Sequence, residues 1–289
     1  MMASARTPEV TERATGSRPG LRPNGGRLGL LATHAVVELR STARSMQFVI
    51  GAVALPALLY AMFGLSNASP SNVLPDGTHV GTMQMVSFCA YGVVSLAIFT
   101  FGESVAEERG RGWVRTMRAT PLPSWSFFAA KVGVALVGGL LIVASTGGLA
   151  VAAGNVRLDA GTWLAITLTM LAGVLAFSTL GFAIAYAVRP RAATAIANLI
   201  FLPLAFLSGF FVPLGELPSV LSDIAVWLPT YHFGQLAWQY VAPAADAEAW
   251  TSVAPASTVV HLAWVLGSVV VFGAIAALAS RRAGITSRA

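Results

Sequence analysis

The side chains able to do acid–base, nucleophilic or metal chemistry are few in this sequence and far apart. His34, His79, His232 and His261 fall in four regions with no ligand spacing between them, and they read as interfacial or loop residues. The single cysteine, Cys89, lies inside an apolar stretch, which excludes an intrachain disulfide and a cysteine metal cluster. HExxH, GxSxG and the P-loop are absent, so no catalytic residue and no metal ligand is assigned. Without a P-loop the chain cannot hydrolyse ATP by that route alone. Ionisable groups in mid-span would indicate an ion or proton path. Glu103 and Lys131 instead sit at span ends, where they can reach the interface.

The densest cluster of charge between apolar stretches is the segment 103–123, which contains Glu103, Glu107, Glu108, Arg109, Arg111, Arg115 and Arg118. Glu107 to Arg118 reads as a short charged helix with Val114 and Met117 as apolar contacts. Thr120-Pro121 ends it, because the residue before proline avoids the α region. Two readings remain open for this segment: a solvated loop that only enforces topology, or a surface that a partner grips.

The elements that hold this segment are membrane spans. The chain of 289 residues is 56% hydrophobic and 10% charged, with a mean hydropathy of +0.72; soluble domains carry roughly 25% charged residues. Apolar stretches at about 46–65, 80–102, 127–153, 161–188, 192–215 and 258–280 are each long enough to cross roughly 30 Å of hydrocarbon. The expected fold is an all-α polytopic membrane protein of six transmembrane helices, a single domain over 46–283. Residues 1–26, rich in Arg, Pro, Gly and Ser, read as a disordered cytoplasmic tail with no cleaved signal peptide. In 27–45, Leu28, Leu31, Ala35 and Leu39 recur at roughly helical spacing, which predicts an amphipathic interfacial helix. Residues 284–289 form a cytoplasmic C-terminal tail.

Orientation follows from the cations. With both termini, the 103–126 loop, the 189–191 turn and Lys131 on the cytoplasmic side, 17 of the 18 Lys and Arg residues lie there, and Arg157 alone lies opposite. Acidic residues split six and six, so Lys and Arg carry the asymmetry, as the positive-inside rule requires. The net charge of +6 is therefore a topology signal and not a nucleic-acid footprint.

Segment 216–257 holds apolar stretches too short to span, interrupted by Pro218, Asp223, Pro229 and Pro243. It is expected to form a broken, re-entrant or interfacial hairpin on the outer side, with Trp227, Tyr231, Trp238, Tyr240 and Trp250 as an aromatic belt. Ala144 and Gly148 form a small-xxx-small pair suited to helix pairing in the third span.

The loop resembles the one between the second and third spans of type-2 ABC exporter permeases. Glu108-Arg109, Gly112, Met117 and Thr120-Pro121-Leu122 occupy the places of that family's pattern, and Lys131 stands where the family often has a lysine. Ser208-Gly209, Pro213, Pro218 and Pro229 follow its second series at the end of the fifth span. Trp113 and Arg115 depart from it, standing where Thr or Ser and an acidic residue are common. Daunorubicin-resistance-type permeases are among the similar ones. The resemblance covers nearly everything after residue 27.

It implies a non-enzymatic permease in a bacterial plasma membrane that pairs with a second permease copy or homologue. Each permease docks on a separate nucleotide-binding ATPase, which alone would carry ATP and Mg. The coupling residues would be Glu107, Glu108, Arg109, Gly112, Val114, Met117, Thr120 and Pro121. Ser208, Gly209, Pro213, Pro218 and Pro229 would shape the outer hairpin or gate. Phe201, Phe206 and Phe210 would line the path or dimer seam. Export of a drug or lipid-like compound, hence antibiotic resistance, is the implied role. An ion-coupled secondary transporter and a membrane-embedded lipid enzyme are the alternatives. The first lacks mid-span charges and an evident internal repeat, the second a clustered acidic, His or Ser site.

Overall fold

The computed structural model describes Arg40, Arg44, residues 48–112 and residues 125–286. The tail 1–26 and nearly all of the expected interfacial helix 27–45 lie outside the described residues. So do Val114, Met117, Thr120 and Pro121.

Among the described residues the chain is almost wholly helical, with a lone bridge between Val73 and His79. Helix α1 (48–64) is wound loosely at both ends, as a π-helix over Phe48–Ala54 and Tyr60–Gly64. Helix α2 (80–110) is α over Val80–Ala97, π over Ile98–Ser104 and α again over Val105–Gly110. Helices α3 (Trp125–Ala153) and α4 (Ala160–Ala187) follow, and then a 3₁₀ turn, Pro190–Ala192, leads into α5 (Ala193–Leu207). Three short helices, α6 (Ser219–Ala225), α7 (Pro229–Trp238) and α8 (Ala244–Thr251), precede the last long one, α9 (Thr258–Thr286).

Among the described residues, five helices, α2 to α5 and α9, are long and apolar enough to cross a membrane. The described part of the first expected span is shorter, about 25 Å at 1.5 Å per residue over 48–64. Three expected boundaries move. The second span continues to Gly110 instead of ending at 102, and α9 reaches Thr286, past the expected start of the tail. The fifth helix stops at Leu207 instead of 215, because Gly209 takes a left-handed φ of 75° and turns the chain back.

α2 is the axis of the bundle, and Gly81 to Ala97 is buried throughout. With lipid outside, such packing gains little from the hydrophobic effect and rests on close van der Waals fit. Glycines mark the closest approaches. A Cβ on Gly92 would lie 2.6 Å from Pro56 Cγ, so α2 is notched where the proline of α1 bulges. A Cβ on Gly181 of α4 would lie 2.6 Å from the Ala97 carbonyl and 2.7 Å from Phe101 Cβ, at the π-wound stretch of α2. A third notch, Gly173, receives the ring of Phe233 from α7.

Segment 216–257 is broken into three short helices, and the middle one, α7, is buried from Thr230 to Trp238 against α2, α4 and α9. The expected aromatic belt divides accordingly. Trp227 is 68% exposed and Tyr240 is exposed, whereas Tyr231, Trp238 and Trp250 are core residues. The buried three have polar atoms that find partners inside the protein, which removes the reason to stay at the interface. Trp238 Nε1 donates to Ser87 Oγ at 3.0 Å, and Trp250 Nε1 donates to the Gly209 carbonyl at 3.1 Å. Ala144 and Gly148 do not close a helix contact within the chain. They line an open groove of about 560 Å³ between α3 and α4, floored by Trp163.

Candidate partner-coupling site

The charged segment emerges from α2 without a break, so Glu107, Glu108 and Arg109 are the last turns of the central helix and not the start of a separate one. The helix ends at Gly110, Arg111 caps it, and Gly112 with φ 77° leaves it in the left-handed conformation that glycine accepts most readily. Gly110 is itself required by contact: a Cβ there would sit 2.9 Å from Pro190 Cβ, in the turn before α5.

Each charge on this last stretch has a distinct partner. The Thr194 hydroxyl donates to Glu103 Oε1 at 2.7 Å, which ties α2 to the start of α5. The Lys131 ammonium donates to Glu108 Oε1 at 2.8 Å, which ties α2 to α3. Arg109 spans to the end of α4, donating to the Tyr186 carbonyl at 3.0 Å and the Val188 carbonyl at 2.6 Å. Its guanidinium also lies 5.6 Å from the Tyr186 ring centroid. Cations that satisfy terminal carbonyls complement the helix dipole as well as the hydrogen bonds. Val105, Ala106, Ala185 and Ala193 pack beneath them. Glu107 alone points outward, paired with Arg111 at 3.1 Å in an exposed i,i+4 bridge; such a pair contributes only about 0.3–0.5 kcal/mol.

Glu108 and Arg109 therefore have partners within the chain. They lock the end of α2 to α3 and α4, and Glu103 locks it to α5. Sequence reading singles out Glu108, Arg109 and Lys131, and expects the first two to serve coupling to a partner subunit. It missed Thr194 and Pro190, which carry no charge to mark them.

The expected outer group is also brought together, at the opposite end of the bundle. The Ser208 hydroxyl bonds the Thr230 hydroxyl at 2.5 Å, and Gly209 accepts from Trp250. Pro213 and Pro218 precede the turns of 214–216 and α6, and Pro229 opens α7. The three phenylalanines do not form one stripe. Phe201 is buried, with its ring centroid 5.1 Å from Tyr91 and 5.5 Å from Phe99. Phe206 is 47% exposed and stacks on Phe211 at 4.6 Å. Phe210 is core, edge-on to Trp238 at 6.3 Å. Phe63, Phe88, Phe211, Tyr91, Phe201 and Phe99 instead make a continuous aromatic ladder across α1, α2, the 210 turn and α5.

The sequence profile of the ABC-2 type transporter family matches residues 31–239, well over half the chain and including this whole base. The chain belongs to the ABC-2 type transporter family. It is the transmembrane subunit of an ABC transporter. It is also 28% identical over 217 residues to the Bacillus subtilis (strain 168) protein named "Putative transport permease YvfS", an alignment covering 74% of this chain and 86% of that one.

Proposed function

We propose that this permease is half of the membrane part of an ATP-driven exporter in a bacterial plasma membrane. Two permease copies, or this one and a homologue, pair with both termini cytoplasmic. A separate nucleotide-binding subunit, holding ATP and Mg, seats against the charged segment where it leaves α2 after Gly110. The bracing of α2 carries this reading. The helix next to the loop is also the most buried one, and Glu103, Glu108 and Arg109 clamp it to α5, α3 and α4. A push on the loop then moves α2 and the three helices clamped to it together, and a partner with two states supplies the differential contact that coupling requires.

The cargo is an apolar or amphipathic compound, drug-like or lipid-like. Support comes from the ladder of aromatic rings along α2 and α5 and from the lack of Asp, Glu, Lys, Arg and His in the middle of the described spans. Loop contact falls to residues near Val114, Met117 and Thr120-Pro121, while Glu108 and Arg109 keep the helix end in place.

The test is co-purification with the ATPase subunit in mild detergent, then reconstitution with a fluorescent amphipathic dye. Dye transport should need ATP, and Arg109→Ala should insert normally but lose most transport. Failure to recruit an ATPase, or ATP-independent transport driven by an ion gradient, rejects the reading.

A further inference from the structure

Two of the histidines that the sequence scatters meet at the end of the bundle away from the charged base. His232 on α7 and His261 on the first turn of α9 are both buried and face each other Nδ1 to Nδ1 at 2.7 Å. His232 Nε2 lies 2.9 Å from the Val226 carbonyl oxygen. A carbonyl only accepts, so Nε2 carries the proton of the neutral ring and Nδ1 is bare. His261 Nδ1 is then the donor. Trp264, also on α9, stacks on the His232 ring at 5.0 Å and 12°, and Trp227 meets Trp264 edge-on at 6.0 Å.

Few other titratable groups stand near. α5 has none. Tyr91 and Cys89 lie on α2, whose Glu103, Glu107, Glu108 and Arg109 belong to the far end, as do Tyr186 of α4 and Arg281 and Arg282 of α9. Asp159 caps the near end of α4, Asp223 is on α6, and Asp246 and Glu248 are on α8, with Asp246 engaged by Asp76 and Thr78. Among the described residues, the ring contacts of His232 are Tyr231, His261 and Trp264, and its charge coupling is to His261.

We propose that His232 and His261 form a proton-binding latch between α7 and α9, closed while the pair is neutral and released when it takes up a proton. The neutral pair has one N–H in its gap. A proton on His232 Nδ1 puts two donors face to face, so either His261 must shift its own proton to Nε2 or the rings must part. In both cases a positive charge sits among apolar rings with no carboxylate in contact, an unfavourable burial. α7 fills the space between α2, α4 and α9, so its loosening opens that end of the bundle. Burial pushes the His232 imidazole down to about 4, below its ordinary 6.5. A loosened state with a hydrated ring takes the proton at the higher pH. The closed state is thus fully favoured above about pH 6.5, and its advantage shrinks as pH falls towards 4. The latch belongs to this chain's own fold and stands apart from the transport reading.

Full-length permease in nanodiscs, melted at a series of pH values from about 7.5 to about 5, tests it. The wild type should lose several degrees more over that range than His261→Asn. The asparagine amide presents either N–H or C=O near the Nδ1 position, so it removes the donor–donor clash and leaves only the burial of the charged ring. His232→Gln removes the titrating ring and should flatten the profile further. In the wild type, imidazolium formed against Trp264 should quench tryptophan emission with a midpoint below pH 6.5, and His232→Gln should abolish that transition. Parallel melting profiles in wild type and variants overturn the latch. So does wild-type emission that stays flat down to about pH 3.5, which decides alone if neither variant folds.

Discussion

The two ends of the bundle solve the same problem with opposite chemistry. At the base, formal charges clamp the helices: Lys131 to Glu108, Arg109 to the last carbonyls of α4, Glu103 to Thr194. At the other end the clamp is made by neutral groups, with Thr230 on Ser208, His232 on His261, Gln235 on Thr251 and Trp238 on Ser87. At the base Arg109 is only half-buried and reaches solvent, and the buried Lys131 is paired with the Glu108 carboxylate. α7 is a ten-residue helix buried on all sides, and an unpaired charge there has no such outlet. Neutral hydrogen bonds let α7 be polar and internal at once, which a short helix between longer ones requires. The two ends thus differ in kind: a base held by charged groups, and an end held by neutral bonds that can be exchanged.

The comparison breaks most severely where both ends depend on the same axis. Gly181→Val would force a side chain against the Ala97 carbonyl and Phe101, where even a Cβ has only 2.6–2.7 Å. Backbone cannot swing aside as a flexible side chain does. The expected loss is about 3 kcal/mol, the upper part of the range for overpacking, with a large drop in the melting temperature of the purified protein. A melt within a degree of wild type would mean that α2 and α4 are not held this closely.

Lys131→Met addresses the charged end alone. The Lys131 side chain is 4% exposed and that of Glu108 24%. Removing one member of a buried pair costs 3–5 kcal/mol, and the partial exposure of Glu108 lowers the expectation to roughly 2–3 kcal/mol. Lys131→Met with Glu108→Gln should recover most of that loss, because no carboxylate is then left behind. Absence of recovery would show that the pair is not what holds α3 to α2.

The two ends also differ in what the sequence reveals. Six apolar stretches, the cation asymmetry and the Glu108-Arg109, Thr-Pro and Ser-Gly patterns were enough to assign the family and to locate the base. Charges in an apolar chain are conspicuous, and Lys131 is the only lysine. What Arg109 does there was hidden, because its acceptors are backbone carbonyls and every residue has one. The neutral end was nearly illegible. Thr230, His232 and Trp238 meet partners 22, 29 and 151 residues away, and none of those pairs has a spacing rule. Aromatic residues in a proline-broken segment read equally well as an interfacial belt or as core. Only tertiary packing decides, and it made Tyr231, Trp238 and Trp250 core.

Asp246 is the one buried carboxylate at the neutral end, and it sharpens the contrast. Its oxygens accept from the backbone amides of Asp76 at 2.7 Å and Thr78 at 2.9 Å, pinning the 65–79 loop onto α8. Burial alone would raise its pKa, but the bonds from Thr78 and Asp76 outweigh burial and hold the carboxyl below the usual range. A carboxyl with a depressed folded pKa adds stability above its unfolded value near 3.9, and that stability is lost as pH falls through the folded value. Asp246→Asn keeps one acceptor and loses the charge, so it should cost about 1–2 kcal/mol at neutral pH. The gap to wild type should close in strongly acidic medium, where Asp246 is itself protonated. This window lies below that of the histidine pair, so melts of Asp246→Asn and His261→Asn over one pH series separate the two. Asp246→Asn should run parallel to wild type between about pH 7.5 and 5, where wild type and His261→Asn diverge. If Asp246→Asn instead flattens the profile in that upper window, the acid sensitivity of this end belongs to the loop and not to α7.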